Sequence, residues 1–272
     1  MPSSFDIAFI GGGNMASAIA GGLIRQGQAA TRVLVIDPSG EQRQRLQQEL
    51  GVATAAQADA QLAQAATVVW AVKPQQFKEA AAAVAAHAGG ALHLSVMAGI
   101  RSDDLARALG TERIVRSMPN TPALIGAGIT GLYARPAVSA QERERIDALL
   151  APTGERVWVQ REQDLDAVTA LSGSGPAYVF YFIETMVDAA QRMGLSADQG
   201  RQLALATFTG ATELARRSSE PPAVLRERVT SKGGTTYAAL TTLEAGDVKG
   251  IFGRALDAAR QRAKELGDEF GR

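Results

Sequence analysis

A short segment near the end of the chain combines a lysine with two glycines and three hydroxyl side chains, and a helical pattern follows it. The segment is Ser231-Lys232-Gly233-Gly234-Thr235-Thr236. Free backbone N–H groups at the start of a helix bind anions, and glycine lets a ligand approach the backbone closely. We therefore predict an anion site with contacts from Ser231, Gly234, Thr235 and Thr236. The alternative is an ordinary helix start that is capped by threonine side chains.

A glycine-rich loop near the start of the chain has the G-x-G-x-x-A form of a dinucleotide-binding fingerprint. It consists of Gly11, Gly12, Gly13, Asn14, Met15 and Ala16, and it directly follows a strand-like run. Gly11 permits the tight turn, Gly13 lets a pyrophosphate approach, and Ala16 allows close packing of helix on strand. Because the loop lies between a strand and a helix, dinucleotide binding is favoured over a plain glycine turn.

Asp37 bears on the choice of coenzyme, since it ends the second predicted strand. An acid at this position accepts from the ribose 2′-hydroxyl of NAD and repels the 2′-phosphate of NADP. Ser39 and Arg43 follow shortly after it and could serve a phosphate instead. The sequence therefore leaves NADH and NADPH both open, with Asp37 and Ser39 as predicted contacts.

Three further loops follow predicted strands, where open α/β sheets bind their ligands. The predicted cofactor contacts on these loops are Val72, Lys73, Pro74, Ala98 and Asn120. Asn120 could hydrogen-bond the nicotinamide end of the coenzyme. The alternatives are a solvated lysine and an ordinary proline turn.

The first part of the chain alternates short apolar runs with helical patterns. The strand-like runs are Asp6–Ile10, Val33–Asp37, Thr67–Val72, Ala91–Val96, Arg113–Ser117 and Ile129–Tyr133, and helix-like stretches include Asn14–Gln26, Gly40–Leu50 and Gln75–His87. Apolar runs without alternation suit strands that are buried on both faces of a parallel sheet. The pattern predicts a doubly wound α/β Rossmann domain over residues 1–161.

The rest of the chain, residues 162–272, is predicted to be an all-α domain. Ser196 followed by Gln199 fits a capping box, Gly194 fits the end of the preceding helix, and Pro176 fits a first helical position. The run Tyr178–Ile183 is apolar on every side, so we predict that it lies in a subunit interface. The alternative is the central helix of a monomeric bundle.

Composition excludes several classes of function. Basic and acidic residues number 28 each, which gives no reason to expect a nucleic acid or an anionic membrane as a partner. The absence of cysteine excludes disulfides and thiolate catalysis, and the two histidines have no metal-binding spacing, so no metal site is predicted. The densest apolar run is far shorter than the ~20 residues that cross a bilayer. A cytoplasmic location is the expectation.

Five motifs in this order resemble those of the pyrroline-5-carboxylate reductase family. They are Phe9-Ile10-Gly11-Gly12-Gly13-Asn14-Met15-Ala16, Ala71-Val72-Lys73-Pro74, Met118-Pro119-Asn120-Thr121-Pro122, Leu171-Ser172-Gly173-Ser174-Gly175-Pro176-Ala177-Tyr178 and Ser231-Lys232-Gly233-Gly234-Thr235-Thr236. The resemblance covers essentially the whole chain. It implies a Rossmann domain followed by an all-α dimerisation domain, use of NADPH or NADH, and a homo-oligomer that is a dimer or a decamer of five dimers. Two residues depart from the family pattern: Lys232 replaces a common proline, and Asp37 replaces a small polar residue.

The substrate that this resemblance implies is 1-pyrroline-5-carboxylate, a cyclic imine that becomes L-proline in the last step of proline biosynthesis. A protonated imine is already a strong electrophile, so its site needs positioning more than a strong acid. No lysine occurs between Lys78 and Lys232, which fits this chemistry. Thr236 is the predicted catalytic contact, and Glu162 matches a position where the resemblance suggests a carboxylate near the imine. A surface glutamate is the alternative for Glu162.

Four rival functions share parts of this pattern. A β-hydroxyacid dehydrogenase needs a histidine or lysine to move a proton, and the helices after Ser172 offer none before Lys232. Another imine reductase or a deazaflavin-type reductase would share the glycine loop. A non-catalytic dinucleotide sensor would have no need of Gly233–Thr236.

Overall fold

An eight-stranded sheet forms the centre of the first part of the molecule, as seen in a computed structural model that describes residues 5–270. The strands are β1 (Ile7–Ile10), β2 (Val33–Ile36), β3 (Ala53–Ala55), β4 (Thr67–Trp70), β5 (Leu92–Ser95), β6 (Ile114–Met118), β7 (Gly128–Ala134) and β8 (Gly154–Trp158). Their order in the sheet is β3-β2-β1-β4-β5-β6-β7-β8. Every neighbouring pair is parallel except β6 and β7.

Six α-helices accompany the sheet in the part of the chain that the structure describes. They are α1 (Asn14–Arg25), α2 (Gly40–Leu50), α3 (Phe77–Ala88), α4 (Ser102–Leu109), α5 (Ala140–Leu150) and α6 (Asp164–Val168). Alternate residues of a strand enter different cores: Val35 belongs to a buried cluster with residues of α1 and α5, whereas Leu34 belongs to one with residues of α3 and α4. The predicted Rossmann domain is therefore confirmed, and burial on both faces explains the unbroken apolar runs.

The remaining helices range from 7 to 23 residues, and several of them expose large apolar side chains. They are α7 (Gly175–Arg192), α8 (Ala197–Arg217), α9 (Pro222–Arg228), α10 (Thr235–Ala245) and α11 (Val248–Phe270), and a π-helical segment, Thr169–Gly173, precedes α7. The predicted capping box of Ser196 and Gln199 is present at the start of α8. Gly194, between α7 and α8, has a φ of +91°, which suits its predicted role in ending a helix.

By internal contacts, the chain divides into one unit that contains the residues up to Ser174 and those from Ala259 onward, and another over Gly175–Ala258. The predicted boundary at residue 162 thus falls before α6, which packs with the sheet unit. The last turns of α11 also belong to that unit. No helix within residues 5–270 has both the length and the apolar character that a membrane span requires.

Candidate functional site

A cleft of about 860 Å³ opens where β1, β2 and β4 end, beside the point at which the strand order reverses. The predicted cofactor residues that line it are Gly11, Gly13, Asp37, Ser39, Val72 and Lys73. Ligands of doubly wound folds bind at this position. The structure therefore places in one cleft the residues of three separate loops that the sequence analysis predicted to contact the coenzyme.

The glycine loop has the local geometry that a pyrophosphate requires. Gly11 has a φ of +93°, and a Cβ there would lie 2.7 Å from the carbonyl oxygen of Ala71. By contrast, a Cβ at Gly13 would meet nothing within 4 Å, so this glycine leaves open space at the start of α1. No side chain caps that helix. Its first N–H groups are consequently free to bind an anion, and the cleft fits a dinucleotide.

The Asp37 carboxylate is engaged by the backbone on both of its oxygens. Oδ2 accepts from the N–H of Gly12 at 2.8 Å, and Oδ1 accepts from the N–H of Ser39 at 2.9 Å. Arg43 donates to the carbonyl oxygens of Asp37 and Pro38, at 2.7 and 2.9 Å. Asp37 therefore stabilises the glycine loop while its negative charge lines the cleft.

Gln42 is a residue of this cleft that the sequence analysis missed. It lines the cleft from the first turn of α2, and its side-chain amide donates to the carbonyl oxygen of Gly12. The Ser39 hydroxyl accepts from the backbone N–H of Gln42 at 3.3 Å and so caps the same turn. The position of Gln42 one turn into a helix that follows β2 was the available indication.

The two other predicted loops do not line the cleft. Asn120 uses both ends of its amide within the first unit: Oδ1 accepts from the N–H of Ile129 at 3.0 Å, and Nδ2 donates to the carbonyl of Ser172 at 3.2 Å. Ala98 is exposed on the loop after β5. Arg101, on the same loop, forms an ion pair with Asp268 at 2.7 Å. All of the predicted coenzyme contacts stay predictions, those of the cleft-lining residues included; the ones that do not line the cleft are Gly12, Asn14, Met15, Ala16, Pro74, Ala98 and Asn120.

Glu162 lies in a polar cluster of the first unit. Its carboxylate accepts from the backbone N–H of Ser102 at 2.7 Å and from the Ser102 hydroxyl, at the start of α4. It also accepts from Nη1 of Arg116 at 3.0 Å. Glu162 thus caps α4 and balances a buried cation. The sequence analysis did not predict these two roles of its carboxylate.

The predicted anion segment forms a turn followed by a helix start. The N–H of Gly234 donates to the carbonyl of Ser231 at 3.0 Å, and Gly233 has a φ of +76°. The turn therefore uses the Gly234 amide that we expected to bind the anion. The amides of the first turn of α10, from Thr235 onward, have no intrahelical partner, and no side chain caps this helix. The alternative, a helix start that is capped by threonine side chains, is therefore not what α10 shows.

The apolar helix α7 exposes large side chains. Phe180 is 65% exposed and Tyr181 is 67% exposed, although both belong to a run of almost wholly apolar residues. Contiguous apolar surface of this kind marks an interaction site. The exposure favours the predicted subunit interface over the central helix of a monomeric bundle.

Comparison with known proteins gives consistent matches over the chain. Residues 162–266 match a family model described as pyrroline-5-carboxylate reductase dimerisation, and residues 6–99 match one described as NADP oxidoreductase, coenzyme F420-dependent. A pyrroline-5-carboxylate reductase of Pseudomonas aeruginosa is 43% identical over 97% of this chain and 98% of its own length. One from Pisum sativum is 34% identical over 98% of this chain and 97% of its own length.

Solved structures agree with these matches. The pyrroline-5-carboxylate reductase of Coxiella burnetii superposes with a TM-score of 0.90 at 36% identity, and the match covers 97% of this chain and 98% of that one. The Plasmodium falciparum pyrroline carboxylate reductase, solved with NADP bound, superposes with a TM-score of 0.87 at 28% identity, covering 97% and 99% of the two chains.

Proposed function

The chain belongs to the pyrroline-5-carboxylate reductase family, and we propose that it reduces 1-pyrroline-5-carboxylate to L-proline with NADPH or NADH. The structural observation that carries this proposal is the cleft at the ends of β1, β2 and β4, with the open backbone at Gly13. When bound, the reduced nicotinamide supplies the hydride that the imine carbon receives. The chain's own residues then have to bind and orient the two reactants.

Residues of the first unit would hold the coenzyme in three places. The N–H groups at the start of α1 would bind its pyrophosphate, and Asp37 and Ser39 would bind its adenosine ribose. Val72, Lys73 and Pro74 lie on the opposite loop of the cleft. Lys73 adds a positive charge there, which favours a dinucleotide that carries negative phosphates.

The substrate carboxylate is bound at the start of α10. Its contacts are the N–H groups and hydroxyls of Thr235 and Thr236, with Ser231 and Gly234 shaping the turn before them. Thr236 is the catalytic contact and donates or accepts a hydrogen bond at the imine nitrogen or the carboxylate. The imine nitrogen ends protonated, and no acidic side chain is required because a protonated imine accepts hydride directly. Glu162 is left out of this site since its oxygens serve Ser102 and Arg116.

The protein acts as a homo-oligomer. The region that matches the dimerisation model, residues 162–266, contains the exposed apolar side chains of α7. We propose a dimer through this region, assembly of five dimers into a decamer, and a cytoplasmic location. Light scattering tests the assembly, and a purely monomeric state would contradict it.

A spectrophotometric assay tests the activity. Oxidation of NADPH and of NADH is followed with and without 1-pyrroline-5-carboxylate, and oxidation that depends on this imine is the expected result. If the protein reduces another cyclic imine but not 1-pyrroline-5-carboxylate, the proposed substrate is wrong. Coenzyme binding without any turnover would make the protein a dinucleotide sensor.

A further inference from the structure

The backbone of Gly12 is held on both sides by side chains of the segment that follows β2, since its N–H and its carbonyl oxygen each have a side-chain partner. Its N–H donates to Oδ2 of Asp37 at 2.8 Å, and its carbonyl oxygen accepts from Nε2 of Gln42. Glycine has more backbone freedom than any other residue, so a loop of three glycines needs such contacts to keep one conformation.

Packing adds a third restraint on the same residue. A Cβ at Gly12 would lie 2.7 Å from Cδ1 of Leu46 and 3.3 Å from Cγ of Gln42. Both neighbours belong to α2, so the first turns of this helix lie directly against the glycine loop. The position of α2 therefore determines where the next residue, Gly13, presents its backbone to the cleft.

We propose that Gln42 is a positioning residue for coenzyme binding, which acts by fixing the Gly12 carbonyl and with it the pyrophosphate loop. This inference rests on the proposed function. The pyrophosphate is common to NADH and NADPH, so a residue that acts through the loop affects both coenzymes equally. A residue that touches the adenosine ribose instead changes the ratio of their affinities, because the two coenzymes differ only at the ribose 2′ position.

The test replaces Gln42 by methionine, which has similar length but no N–H group. A typical hydrogen bond contributes about 0.5–1.5 kcal/mol, so we expect the Kd of NADH and of NADPH to rise by the same factor, roughly 2- to 12-fold. The Kd values are measured without substrate, from the fluorescence of the bound reduced coenzyme.

Gln48→Met is the matched control, since Gln48 is an exposed glutamine of the same helix. It should leave both Kd values and the melting temperature unchanged. Should Gln42→Met fail to fold, Gln42→Leu removes the same donor with a smaller side chain.

Unchanged Kd values for Gln42→Met would overturn the proposal, and so would a change for one coenzyme only. A lower melting temperature with unchanged Kd values would show that Gln42 has a merely structural role, and it would overturn the proposal as well. Because the Kd needs no turnover, this result is independent of whether the wild-type enzyme reduces 1-pyrroline-5-carboxylate.

Discussion

Arg116 donates from Nη1 to the carboxylate of Glu162 at 3.0 Å, and the arginine is only 7% exposed. Arg116 lies on β6, an interior strand of the sheet, whereas Glu162 belongs to the segment that leads to α6. The same carboxylate accepts from the first N–H of α4. One side chain therefore balances a buried charge and satisfies the start of a helix.

Glu162→Gln should destabilise the protein without changing the KM of the imine. The amide still accepts from Ser102 but no longer pairs a negative charge with the buried Arg116, which the carboxylate of Asp166 also attracts. Breaking a buried ion pair from one side costs about 3–5 kcal/mol, and because Glu162 is 20% exposed we expect the lower end, about 3 kcal/mol. Urea unfolding measures the loss, and the KM of the imine should keep its wild-type value.

Glu144→Gln is the control for this prediction, because Glu144 is an exposed acid on α5. A surface change of this type is expected to stay within about 0.5 kcal/mol. If Glu162→Gln instead raised the KM of the imine and left the unfolding curve in place, Glu162 would belong in the substrate site.

His93 makes the stability of the sheet unit depend on pH. Nε1 of Trp70 donates to Nδ1 of His93 at 3.0 Å, and Nε2 of His93 lies 3.1 Å from the carbonyl of Ala88. A neutral ring with its proton on Nε2 satisfies both contacts. Burial lowers the pKa of His93 from 6.5 to about 4. His93 therefore binds a proton below about pH 6.5 in the unfolded chain, but only near pH 4 in the folded protein.

Stability should consequently be full above pH 7 and should fall as the pH drops through this window. The expected loss is about 1 kcal/mol by pH 5.5 and about 3 kcal/mol near pH 4. Urea unfolding at a series of pH values measures it. His93→Gln should flatten the curve between pH 7 and 5, whereas His87→Gln should retain the wild-type slope. A wild-type curve that is flat over this range would contradict the prediction.

Elements with a clear apolar pattern were predictable from sequence, and elements without one were not. The unbroken apolar run at Val33–Ile36 and the helical pattern at Gly40–Leu50 were both identified. β3 was missed because Ala53–Ala55 has only three small residues, and β8 was missed because Gly154–Trp158 is partly exposed and carries charged side chains. Both strands owe their conformation to pairing with a neighbour, which a local pattern does not show.

The residues of the candidate site that directly follow strands were predictable from sequence. The side-chain contacts that join distant segments of the chain were not. Gly11, Asp37 and Lys73 each follow a strand, and strand ends meet at one edge of the sheet. The contact of Gln42 with Gly12 and that of Glu162 with Ser102 join residues 30 and 60 positions apart. Neither pair has a spacing rule, so only the folded structure reveals them.

Asp37→Asn should shift coenzyme preference toward NADPH. The substitution removes the negative charge that lines the cleft but keeps an oxygen that can accept from Gly12. Two unit charges about 4 Å apart interact by about 1 kcal/mol even in water, so the kcat/KM ratio of NADPH to NADH should rise at least about fivefold. Glu41→Gln removes an exposed charge nearby and should leave the ratio unchanged. An equal loss for both coenzymes would mean that Asp37 acts only on the glycine loop.

Thr236→Ala should lower kcat/KM for 1-pyrroline-5-carboxylate and leave coenzyme affinity unchanged. A hydrogen bond to a charged group contributes about 1.5–3 kcal/mol, which corresponds to roughly a 10- to 150-fold loss. Thr236→Ser restores the hydroxyl and should recover most of the activity. Thr242→Ala is the control, since the Thr242 hydroxyl donates to the carbonyl of Ala238 within α10. Steady-state kinetics with saturating NADPH make the comparison, and wild-type values for Thr236→Ala would remove Thr236 from the catalytic site.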